Sequence, residues 1–278
     1  SLGLVGSEMC IRDSDDPVNK NYDTARVAEI NSLKDLQEVY CKNIGISNPF
    51  IGLGANPDLN NSSVNIGWIY PGGLGLQRDY YVDNDEKTIE IRKKYTAHIS
   101  KMLQFINFPA DYANSAAERI LELETKLAIP RLDKVQSRDI RNFNNPKKLN
   151  ELNKLTPAFN WDKFLLDMGI DSLPEEVIVM QPNYMIALNQ FLESTSIEDL
   201  KILMKWSTLD NSARYLSTEI EKTNWEFYSK TLSGAKKQRD AAVILYKYAR
   251  ECDDIADEGL EFLKEINFKD MRRNIAAE

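Results

Sequence analysis

From about residue 86 onward, apolar residues return every three or four positions, the period of a helix with one buried face. Tyr95, Ile99, Met102 and Ile106 form one such stripe. Asp85 and Glu86 stand at its start, where carboxylates suit the helix dipole, and Pro109 is expected to close it. Ala116, Ile120, Leu123 and Leu127 make a second stripe, ended by Pro130. A shorter helix is predicted over Leu149–Leu155, before Pro157. Asn160 is expected to cap a helix over Trp161–Met168 that Gly169 terminates. Further helices are expected at about 183–193, 196–209, 212–231 and 236–265, with Ser196 and Asp199 in a capping pattern. Val177–Met180, between Pro174 and Pro182, is the clear β-branched run and predicts a short strand. The pattern is that of a mostly α chain: a multi-helix lobe with short strand elements and short connections.

Residues 46–85 break the period. Gly, Asn, Pro and Ser are dense here, and Asn56-Pro57-Asp58 and Asn60 to Ser63 are turn signals. Pro71-Gly72-Gly73-Leu74-Gly75-Leu76 invites comparison with a phosphate-binding loop, but no Lys-Ser/Thr follows and the dinucleotide spacing is absent. The expectation is a tight turn that uses glycine's freedom at positive φ. Asn60-Asn61-Ser62 is a formal glycosylation sequon, without weight unless the compartment is known.

Composition narrows the function classes. A net charge of -8 argues against general nucleic-acid binding, which wants a basic face. Charged residues at 28% and hydrophobic ones at 42% are an ordinary globular balance. No apolar run reaches the ~20 residues needed to span a bilayer as a helix. Cys10, Cys41 and Cys252 are scattered, so neither a metal spacing nor a disulfide framework follows. The first 14 residues, Ser1 to Ser14, lack the basic start and long apolar run of a signal peptide. They resemble a translated sequencing-adaptor artefact and are set aside as a non-native tail.

Gly73-Leu74-Gly75-Leu76-Gln77-Arg78-Asp79-Tyr80-Tyr81 is a more specific marker. It resembles the "GGLGLPxRDYY" element of the neprilysin-like zinc metallopeptidases, with Gln77 where the family often has Pro. Other segments keep family order. They are Tyr95 to Leu103, Ile120 to Ala128 ("ILxLETxLA"), Phe159-Asn160-Trp161, Val177 to Tyr184, and Phe227 to Gly234. The resemblance covers residues 15–240 and implies the family's N-terminal, helical, non-catalytic region. In the parent it implies endopeptidase chemistry, with zinc activating a water and a glutamate as general base. It also implies a helical lobe that caps the active-site cavity and restricts entry to short peptides. The implied partners are the catalytic lobe of the same polypeptide and short peptide substrates. The resemblance leaves the setting of the parent open, since such enzymes are membrane-anchored, secreted or cytoplasmic; an extracytoplasmic setting, periplasmic or secreted, is favoured.

The family's zinc site needs His-Glu-x-x-His, two imidazoles one helical turn apart. This sequence has one histidine, His98. It stands near the apolar face of a helix and is expected to be a packing or surface residue rather than a metal ligand. No catalytic, cofactor-binding or zinc-ligating residue is therefore assigned, and the chain as given is expected to be an inactive part of an enzyme.

Beyond residue 240 the pattern changes. Residues from about 238 to 278 resemble the first aspartate-rich helix of squalene/phytoene synthases ("AxYxxxRxxDDIADEG"), and 241–278 is read as a helical C-terminal segment. Leu245, Tyr248, Cys252 and Ile255 form an apolar stripe, and Asp253 and Asp257 lie four apart, so both carboxylates share one helix face. Such a pair is a candidate for Mg²⁺ bridging to a diphosphate; a solvated acidic face is the plainer account. The second aspartate motif and a prenyl cavity are missing. The join near Lys236-Lys237-Gln238-Arg239-Asp240 is expected to be chimeric. A prenyl-diphosphate synthase fragment, or a helical binding module using Trp206, Tyr215, Trp225 and Phe227, are the alternatives; helical spacing makes those aromatics core.

Overall fold

The computed structural model describes residues 27–42, 48–167, 170 and 175–238. They divide between two compact units, one running to Asn224 and the other taken up from Trp225.

In the first unit, helix α1 (Leu33–Lys42) precedes a hairpin of β1 (Ile51–Pro57) and β2 (Asn65–Pro71). Helices α2 (Arg78–Val82), α3 (Glu86–Phe105) and α4 (Ala110–Ala128) follow. After 3₁₀ turns at Gln136–Arg138 and Ile140–Asn142 come β3 (Pro146–Lys148), α5 (Leu149–Leu155), α6 (Trp161–Asp167) and β4 (Glu176–Val179). Helices α7 (Pro182–Ser194), α8 (Ile197–Ser212) and α9 (Thr218–Trp225) complete the series. The architecture is mostly α, as the periodicity requires. Both predicted stripes are buried on α3 and α4, except that Ile106 lies just past the end of α3.

Three caps behave as their residue types dictate. Asp85 accepts from Thr88 N at 3.1 Å, Ser196 from Asp199 N at 3.1 Å, and Asn160 from Lys163 N at 3.0 Å. Asn160 is itself gripped by Gln37 of α1: Gln37 Nε2 donates to its carbonyl at 2.9 Å and Gln37 Oε1 accepts from its N–H at 3.0 Å. That grip fixes the aromatic cluster of Phe159, Trp161 and Phe164 against α1, where Tyr40 stacks on Phe164 at 5.5 Å.

Three expectations are corrected. Helix α3 is stopped not by Pro109 but by Asn107, which takes a left-handed φ of 67°. Phe108 N donates to Leu103 O at 3.3 Å and Asn107 N to Gln104 O at 3.1 Å, the double closure of a Schellman end. Pro109 instead occupies the cap position of α4. Second, the helix expected over 212–231 is interrupted, because Leu216 is extended (φ -92°, ψ -163°) between a 3₁₀ turn and α9. Third, residues 46–85 hold more than turns.

In that region β1 and β2 form an antiparallel hairpin, and β2 runs parallel to β4 through Trp68↔Ile178 and Ile69↔Val179. The sheet order is β1-β2-β4-β3, which joins the Gly-rich hairpin to the β-branched strand that the sequence does announce. Gly52 makes this possible: a Cβ there would lie 2.0 Å from the Tyr70 ring, whose hydroxyl donates to Leu53 O at 3.0 Å.

In the second unit, Glu226–Leu232 is wound as a π-helix and Phe227 meets Tyr228 edge-on at 4.9 Å. The expected helix over 236–265 is not formed at 236–238; its remainder lies outside the described residues.

Candidate functional site

The marker segment Gly73–Tyr81 leaves the sheet at the end of β2 and turns into α2. Its glycines do not use positive φ, since Gly234 is the positive-φ glycine among the described residues. Gly72 is required by a close approach instead. A Cβ there would meet Asn48 O and the Pro49 carbonyl carbon at 2.5 Å and Phe50 N at 2.7 Å. Three of the loop N–H groups are committed within the chain: Gly72 N donates to Phe50 O at 3.1 Å, Gly75 N to Glu124 Oε1 at 3.2 Å and Leu76 N to Tyr81 Oη at 2.9 Å.

Glu124, on α4, is the centre of a buried network. Its Oε2 accepts from the Tyr81 hydroxyl at 2.9 Å and the Tyr95 hydroxyl at 2.8 Å. Leu76 N donates in turn to Tyr81 Oη at 2.9 Å, and Trp206 Nε1 to Tyr95 Oη at 3.1 Å. Burial is the dominant influence and pushes the Glu124 carboxyl above its ordinary value, against the donors that favour the anion. Burial and the adjacent carboxylate push the Tyr81 phenol up as well.

Beside this latch lies a groove of about 660 Å³. Its walls come from the end of β2, the marker loop, the segment after α4 and the β4–α7 junction. Arg78 Nε donates to Arg131 O at 2.9 Å, and Leu132 N donates to Gln181 Oε1 at 2.9 Å. The Arg131 guanidinium lies 5.2 Å over the ring of Tyr184, whose hydroxyl donates to Phe50 O. Two of the segments read as family markers, 73–81 and 177–184, thus line the groove, and a third, 120–128, is tied to the first through Glu124. The groove is rimmed by Arg78, Arg131, Lys134 and Arg138 against one carboxylate, Asp79. Asp79 pairs with Lys134 at 2.6 Å and holds its ammonium above the usual lysine range.

His98 is buried on α3, edge-on to Trp206 at 5.8 Å. Desolvation, then the charge of Lys101, lowers its pKa to about 3. It is a neutral packing group. Among the described residues no group of three or more His, Cys, Asp or Glu side chains is placed to hold a metal ion. Asp253 and Asp257 lie outside the described residues. Gln181 falls within the 177–184 marker, but the groove residues Arg131, Lys134 and Arg138 were not singled out by the sequence reading. The one local signal for them is the triplet of cations in Arg131–Arg138.

The chain is similar to known proteins over most of its length. A sequence profile of peptidase family M13, for its N-terminal part, matches residues 13–257. Endothelin-converting enzyme-like 1 of Rattus norvegicus is 28% identical over 194 residues, 67% of this chain and 24% of its own length. Endothelin-converting enzyme 1 of the same species is 26% identical over 198 residues, 69% of this chain and 26% of its own. This chain therefore spans about a quarter of the length of the curated relatives it matches. Among solved structures, the Mycobacterium tuberculosis zinc metalloprotease Zmp1 in complex with inhibitor aligns with a TM-score of 0.74 at 24% identity, over 85% of this chain and 37% of that one. PepO of Lactobacillus rhamnosis HN001 aligns at 0.67 and 14% identity, over 85% and 38%. At these identities the structural likeness carries the fold.

Proposed function

The chain belongs to peptidase family M13, and we propose that it serves a zinc metalloendopeptidase as the helical lobe that caps an active-site cavity and admits short peptides. The observation that carries this reading is the Glu124 latch. It ties the 73–81 and 120–128 markers into one rigid unit, so the family's most specific segments are spent on shaping a wall rather than on chemistry. Zinc, when bound in such an enzyme, acts as a Lewis acid that activates water and polarises a peptide carbonyl. The residues of this chain do not fit that metal: His-Glu-x-x-His needs two histidines, and His98 is single and buried.

The chain on its own is therefore proposed to cleave no peptide. The test compares two proteins on a fluorogenic peptide of about eight residues and on a folded protein substrate. One is this chain alone. The other is this chain continued into the zinc-bearing remainder of its parent. Chelator-sensitive cleavage of the short peptide by the longer protein only, with the folded substrate spared, supports the reading. Chelator-sensitive cleavage by this chain alone overturns it.

A further inference from the structure

We infer that the groove between the marker loop and the segment after α4 binds an acidic peptide segment, its carboxylates on the arginine rim and its apolar side chains on the groove walls. Charge carries the argument first. Four cations face one carboxylate in a chain of net charge -8, so positive potential is concentrated here against the general sign of the molecule. Asp79 is shared between Lys134 at 2.6 Å and Arg78 at 4.0 Å, which leaves Arg131 and Arg138 without an ion pair to a described residue. The fork of a guanidinium fits a carboxylate through two parallel hydrogen bonds. Arg131 is fixed in place at the groove wall: Nε donates to Leu127 O at 3.1 Å and its guanidinium lies 5.2 Å over the Tyr184 ring, so its charge is held there. Arg138 is exposed and makes no ion pair with a described residue.

The walls decide the class of ligand. Tyr70, Leu74, Leu76, Leu132 and Met180 give the groove an apolar face that a small inorganic anion would not use. The volume lies in the range of specific ligand pockets and accommodates a few peptide residues. Gln181 offers its remaining amide group to a peptide backbone, because its Oε1 is held by Leu132 N. The choice of a peptide rests on the peptidase reading; the test reads binding without cleavage, so failure of one does not imply failure of the other.

The experiment is fluorescence anisotropy with this chain and a labelled hexapeptide of alternating Glu and Leu, beside its Gln–Leu counterpart and a C-terminally amidated form. The acidic peptide is expected to bind about tenfold or more tighter than the Gln peptide, a preference weakened by salt. Amidation is expected to leave the affinity unchanged. Arg138→Glu, at an exposed site, is expected to lower affinity about tenfold or more with an unaltered melting temperature. Equal binding of the Glu and Gln peptides, or full affinity in Arg138→Glu, overturns the proposal. So does loss of binding on amidation alone, which would assign the site to a terminal carboxylate. Absence of binding by any of the three peptides overturns it too and leaves the groove to another part of the parent polypeptide.

Discussion

The carboxylate of Glu124 accepts a hydrogen bond from the hydroxyl of Tyr81 at 2.9 Å, deep inside the protein and 43 residues away in sequence. The bond holds the marker loop in place from below, because Tyr81 in turn accepts from Leu76 N. Glu124→Ala would leave the Tyr81 and Tyr95 hydroxyls and the Gly75 N–H without their acceptor, at a cost of about 3–5 kcal/mol. Glu124→Gln keeps one acceptor oxygen and is expected to cost about 1–2 kcal/mol, and Tyr81→Phe a similar amount. Urea unfolding of the three variants checks the order. A Glu124→Ala protein as stable as the parent would sink the latch.

The same carboxyl makes stability depend on pH in a known direction. Its pKa in the folded protein is raised above the ordinary 4.5 by burial. The folded state therefore holds the proton more tightly than the unfolded chain. This contribution is complete below pH 4.5 and is lost as pH rises through the folded value. Comparing wild type with Glu124→Gln isolates it: the wild type should lose stability relative to the variant as pH is raised from 4.5. A constant difference across that range counts against the shift.

His98 acts in the opposite sense. Its folded pKa is lowered from 6.5 to about 3, so its contribution is complete above pH 6.5 and is lost as pH falls toward 3. The gap corresponds to roughly 4–5 kcal/mol of acid destabilisation if the fold survived that far. As the single histidine of the chain it gives one Cε1–H imidazole NMR signal. That signal should not titrate between pH 8 and 5 while the protein stays folded. A midpoint near 6.5 would show the ring to be in water.

The end of α3 gives a separate test of local structure. Asn107 holds a left-handed φ of 67°, which costs a side chain with Cβ about 1–2 kcal/mol unless, like Asn, it tolerates that region. Asn107→Gly is expected to be neutral or slightly stabilising, and Asn107→Val destabilising by about 1–2 kcal/mol. Thermal melts that rank Val above Gly would reject the Schellman end.

Much of this was legible in the sequence, for local reasons. The caps at Asp85, Asn160 and Ser196 and the whole of α5 follow from neighbours within one turn. Two of the segments behind the family resemblance, 73–81 and 120–128, touch through Glu124. The hairpin was hidden because β1 reads Ile-Gly-Leu-Gly-Ala-Asn-Pro, without the alternation that marks a strand. Its reason lies 18 positions on, where the Tyr70 ring fills the space of the missing Gly52 side chain. Glu124 reads as one more surface acid, yet it sits four residues after Ile120 on the buried face of α4. The groove was least legible. Arg131 and Lys134 are near each other in the chain, but Arg78 is 53 residues from Arg131, and Gln181 is 49 from Leu132.

Adjacent glycines separate close packing from turn flexibility in the marker loop. At Gly72 a Cβ would press on backbone atoms of 48–50 at 2.5–2.7 Å, and backbone cannot yield as a flexible side chain does. At Gly73 a Cβ would meet nothing within 4 Å. Neither has positive φ, so the entropy of the unfolded chain favours alanine at both, and only packing distinguishes them. Gly73→Ala is expected to be neutral or stabilising by up to about 1 kcal/mol. Gly72→Ala is expected to cost about 2 kcal/mol or more, because the junction of hairpin and loop must open to admit the methyl group. Opening that junction also moves Tyr70 and Leu74, so Gly72→Ala should weaken acidic-peptide binding while Gly73→Ala leaves it intact. Paired melting and anisotropy measurements decide this. Equal stability of the two variants would mean that the loop, and the groove wall built on it, is not held by the contact with residues 48–50.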